Sequence, residues 1–94
     1  MNQRLAQLAE ATEILKRIEI YVWNGQVNVA YRELNKLRGF AMLQGKDLEM
    51  FLHILHTLED GRQIEAHRHV KSWFDGLNTE YRTLRAERPQ QPEG

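Results

Sequence analysis

The sequence predicts an all-α fold, a four-helix domain of two stacked helical hairpins, arranged as a repeat-like stack or a small bundle. Three observations lead there. Apolar residues recur at three- and four-residue steps through four segments, and no alternating strand pattern competes with them. One stretch occurs twice: Asn24-Gly25-Gln26-Val27 leads to Ala30, Leu34 and Leu37, and Asp60-Gly61-Arg62-Gln63 leads to Ala66, Val70 and Trp73. All matched positions lie 36 residues apart, and each copy closes one periodic segment and opens the next, as the turn of a helical hairpin does. Helices are therefore expected near 2–23, 26–43, 47–59 and 61–87, with more than about 60% helix and no sheet.

A chain of 94 residues is one domain near the small end of what folds alone, here 1–88. With 41% hydrophobic and 28% charged residues it belongs with globular proteins rather than with disordered or membrane-embedded chains. The formal charge of +0 supplies no general attraction for nucleic acid or anionic lipid. Cysteine is absent, which removes disulfides and thiolate chemistry. The N-terminal stretch MNQRLAQLAEA lacks a signal peptide's apolar run, so a cytoplasmic location without membrane association is expected.

The first helix places Leu5, Leu8, Thr12, Leu15, Ile18 and Val22 along one face. Its second half adds Ile14, Ile20, Tyr21 and Trp23, so apolar groups surround most of the circumference. A helix of that kind is buried on more than one side, and a partner chain is expected to supply one of them. Asn24-Gly25 ends it, since both residue types tolerate the left-handed conformation that closes a helix. The second helix carries Val27, Ala30, Tyr31, Leu34, Leu37 and Ala41 on one stripe, with Gly39 as a weak point. Gln44-Gly45 makes the next break, and Asp47 is expected to cap the third helix. That helix groups Leu48, Phe51, Leu52, Leu55 and Leu58. Asp60, with Gln63 three residues on, has the spacing of a capping box at the start of the fourth helix. Ala66, Val70, Trp73, Phe74, Leu77, Tyr81 and Leu84 then form one apolar seam. The tail 89–94, polar and with two prolines, is expected to be disordered.

The repeated stretch resembles the tetratricopeptide repeat, which pairs two helices in about 34 residues. Gly25 and Gly61 stand where that family has its turn glycine, and Ala30 and Ala66 where it has a small contact residue. Tyr21 matches its late aromatic, and Leu34 and Val70 its large apolar position. Ile18 and Ile54 depart from the pattern, and the closing proline is missing from both units. The resemblance implies a concave groove lined by the first helix of each unit. Its partner-binding positions would be Thr12, Leu15, Glu19, Val22, Trp23, Leu48, Phe51, Leu55 and Leu58.

No chemical motif accompanies this scaffold: no phosphate-binding glycine loop, HExxH or GxSxG is present. His53 and His56, three apart, could reach one ion, but His67 and His69 point about 160° apart on a helix. Surface and boundary histidines are the simpler reading, and neither a metal nor a cofactor is expected. Glu59-Asp60 reads as helix-start capping rather than catalysis. Basic residues gather at Arg32, Lys36 and Arg38 and again at Arg82, Arg85 and Arg88, diluted by Glu33, Glu80 and Glu87.

The expected function is accordingly non-enzymatic: a small helical adaptor or chaperone that binds a helix or extended segment of another protein. Self-association as a homodimer, or a heterocomplex with a dedicated partner, is expected through Ile14, Ile20 and Trp23 of the first helix. The alternative is a small dimeric nucleic-acid-associated regulator using the two basic groups, against which the balanced charge weighs.

Overall fold

The computed structural model describes residues 3–87, so the proposed tail lies outside the described residues. Four α-helices appear in chain order: α1 (Gln3–Trp23), α2 (Val27–Asn35), α3 (Lys46–Glu59) and α4 (Gln63–Glu87). A 3-10 turn, Lys36–Gly39, extends α2. Helix covers 86% of the described residues, and none of them is in a strand.

The two hairpin turns are copies of each other in hydrogen bonding as well as in sequence. In the first, the N–H of Gly25 donates to Val22 O (3.0 Å) and that of Gln26 to Tyr21 O (2.8 Å). In the second, Gly61 donates to Leu58 O (3.1 Å) and Arg62 to Thr57 O (2.9 Å). This is the Schellman pattern, and it needs a residue in the left-handed region at the position after the cap. Gly25 (φ 76°) and Gly61 (φ 74°) occupy it without the penalty a Cβ brings. Directly after each turn, Ala30 and Ala66 are fully buried, and the equivalent pairs Leu34/Val70 and Leu37/Trp73 follow them inward.

Helices pack as pairs: α1 lies against α2 and, more extensively, against α4, while α3 lies against α4. The pairing of α1 with α4 is antiparallel, since Arg4 meets Glu80 at one end and Val22 meets Gln63 at the other. Leu8, Leu15, Ile18, Val22, Leu34, Phe51, Ile54 and Val70 fill the interior. Thr12 and Thr57 enter it with their hydroxyls donating to backbone carbonyls one turn earlier, so neither is left unsatisfied.

Three local expectations are corrected. The second helix stops at Asn35 rather than near residue 43, and Phe40 is extended (ψ 129°). Ala41 is consequently exposed, and Met42 takes the core position, its N–H held by Gln7 Oε1 at 2.9 Å. Asp47 does not cap α3, which begins at Lys46 after Gly45 with no side-chain cap. Its carboxylate instead accepts from Trp73 Nε1 (3.0 Å) and Arg4 Nη2 (3.2 Å), joining three helices. The capping box at Asp60 does not form either: Glu59 and Asp60 close α3, and α4 begins at Gln63. Gln63 Nε2 donates to Val22 O at 2.6 Å, because the end of α1 lies within its reach.

Candidate partner-binding face

The inward stripes of α1 and α4 decide what is left outside where these helices meet. Ile18 and Val22 face the core from α1, and Ala66 and Val70 face it from α4. Ile20 and Trp23 therefore project outward on one helix and Ile64 on the other, with 59%, 72% and 77% of their surfaces exposed. Trp23 leans on the ring of His67 across the helix pair, centroid to centroid 5.0 Å at 49°. His67 Nε2 in turn lies 3.3 Å from Glu19 Oε2. Two adjoining hollows share Trp23 and His67: Ile20 and Asn24 border one, and Gln63 and Ile64 the other. The result is an open apolar face on two helices packed side by side, with one tilted imidazole beside it. Large apolar groups left together in water are the mark of an interaction surface.

The residues expected to line a concave groove are mostly elsewhere. Leu15, Val22, Phe51, Leu55 and Leu58 are core residues, and Thr12 is buried with them. The reason is tertiary: α4 packs against both α1 and α3, so the faces the resemblance would leave open are covered. Glu19 is half-buried and engaged with His67, while Trp23 and Leu48 remain exposed. The expected oligomer surface divides in the same way. Ile14 is only 3% exposed and belongs to the core, whereas Ile20 and Trp23 stay outside. Ile64 carries little signal in the sequence. It is an isoleucine at a helix start, two residues before Ala66 and off the Ala66–Val70–Trp73 stripe.

Several other polar groups are engaged in internal contacts. His53 pairs with His69 of α4 (centroids 5.5 Å apart) rather than with His56. Among the described residues no three potential metal ligands converge. Arg4 forms a fork to both oxygens of Glu80 and holds that carboxyl below its ordinary range through the hydrogen bond. Of the first basic group, Lys36 pairs with Glu33 (2.7 Å), while Arg38 donates to Asn35 (2.6 Å) and covers the Phe51 ring. Arg85 lies over Tyr81. No helix among the described residues is long and apolar enough to cross a membrane. Compared with known proteins, the chain matches no family model, no curated protein and no solved structure.

Proposed function

We propose that this chain is a non-enzymatic protein-interaction module, a small helical adaptor or chaperone that holds a segment of a partner protein on the face formed by Ile20, Trp23 and Ile64. The observation carrying this reading is the exposure of these three large side chains side by side on two firmly paired helices. Tryptophan is prominent among residues that dominate interface energies, and a backbone already folded into paired helices does not have to be ordered on association. The other features fit. The histidines and carboxylates are spread over separate contacts, and two cations of the first basic group are occupied internally.

The test is affinity capture from the cells of origin with the parent chain and with a Trp23→Ala/Ile64→Ser variant. Both positions are exposed, so circular dichroism should show an unchanged fold and melting temperature. The parent should retain a protein in near-stoichiometric amount that the variant loses. Identical captured sets from the two chains would refute this use of the face.

A further inference from the structure

Charge is zoned along the same face. On α1, Lys16, Ile20 and Trp23 are spaced four and three residues apart and project together. On α4, Ile64, Arg68 and Lys71 have the same spacing, running the other way in space because the helices are antiparallel. Both apolar ends therefore meet at the hairpin turns. Lys16 and Lys71 lie about 10 Å further along, seven residues at the helical rise, with Arg68 between. All three cations are exposed, and none has an ion-pair partner among the described residues. Glu13 and Asp75 follow about one turn beyond and end the basic band, while Glu19, between Lys16 and Trp23 along α1, is turned toward α4 onto His67.

We infer that the segment held here is an acidic amphipathic stretch of another protein, placing apolar side chains on Ile20, Trp23 and Ile64 and carboxylates on Lys16, Arg68 and Lys71. The inference rests on the proposed interaction face and adds the chemistry of its occupant. The spacing of about 10 Å corresponds to two turns of a bound helix or about three residues of an extended strand. A second copy of this chain complements the band poorly. Turned end for end, its cations would meet the hairpin-turn end, where Asp60 and Glu65 are already paired with Arg62. In the same sense, cation would face cation. An anionic lipid surface is also a poorer match, because it would press on Glu13 and Asp75 as well as on the basic band.

The experiment is panning of a random twelve-residue peptide library, displayed on phage, against the full chain. Selected peptides should combine apolar residues with Asp or Glu. Their affinity should fall at least tenfold for the Arg68→Glu/Lys71→Glu variant, weaken with salt, and be lost for Trp23→Ala/Ile64→Ser. Peptides that depend on Trp23 and Ile64 but carry no acidic bias, or bind the charge-reversed chain equally well, overturn the charge inference and leave the face standing. Peptides indifferent to Trp23 and Ile64, or no selected peptides at all, overturn the face itself. Two further results overturn the assignment of the occupant. One is a parent chain that sediments as a dimer at micromolar concentration and becomes a monomer on Trp23→Ala. The other is tight binding to phosphatidylserine vesicles that Arg68→Glu/Lys71→Glu abolishes.

Discussion

The same substitution, glycine to alanine, should act with opposite sign at two positions of this chain. Gly61 has φ 74° in the turn between α3 and α4, and Gly76 lies inside α4 with ordinary helical backbone. A Cβ added at either residue has no neighbour within 4 Å, so collision with other residues drops out and backbone conformation decides the outcome. In the left-handed region an L-residue is disfavoured by about 1–2 kcal/mol. The reduced freedom of the unfolded chain returns about 0.4–1 kcal/mol of that. Gly61→Ala should therefore destabilise by about 1 kcal/mol, whereas Gly76→Ala should stabilise by about 1 kcal/mol through helix propensity. For a domain of this size each kcal/mol moves the melting temperature by about 4–8 °C, so the two variants should melt roughly 8–16 °C apart. Gly25→Ala should match Gly61→Ala, since its φ of 76° and open surroundings are the same. Thermal and urea melts followed by circular dichroism measure all three. A neutral Gly61→Ala, or a destabilising Gly76→Ala, would refute the account of the turns and of the continuous fourth helix.

Further outcomes follow from burial and charge. Ala30→Leu and Ala66→Leu each place a larger side chain at a fully buried position and should cost about 1–3 kcal/mol. Both helices pack against two others, α2 against α1 and α3, and α4 against α1 and α3, so the two variants should suffer alike; melting of both like the parent would contradict the hairpin equivalence. Ile14→Lys should abolish cooperative folding by burying an unpaired ammonium, while Ile20→Lys should leave the melt within about 0.5 kcal/mol of the parent. On acidification, the fork from Arg4 keeps the folded-state pKa of Glu80 below its unfolded value. Its contribution is thus complete above about pH 4–5 and is lost as the pH falls through the depressed folded value. Acid titration of Glu80→Gln should show a shallower loss of stability than the parent.

The proposed face was partly legible in the sequence and partly not. Ile20 and Trp23 add more apolar surface than one helix can turn inward, but Ile14, which shares that signal in the sequence, belongs to the core. Periodicity places residues on a helix without saying how many neighbours surround it. Ile64 is not legible in the sequence, because a single isoleucine at a helix start has no pattern of its own. It acquires meaning only when the end of α1 brings Trp23 and His67 beside it.

What the sequence alone determined is local. Three- and four-residue apolar spacing sets the helices, and two glycines 36 residues apart set two like turns, because hydrogen bonding and backbone sterics act over a few residues. Everything that required knowing which helix lies against which was decided by the tertiary structure. The packing of α4 against both α1 and α3 closed the groove implied by the repeat and drew Asp47 away from capping into contact with Arg4 and Trp73. A carboxylate near a helix start can cap it, accept an indole N–H or pair with a guanidinium at similar local energy. Only the groups that packing brings within hydrogen-bond distance choose among them.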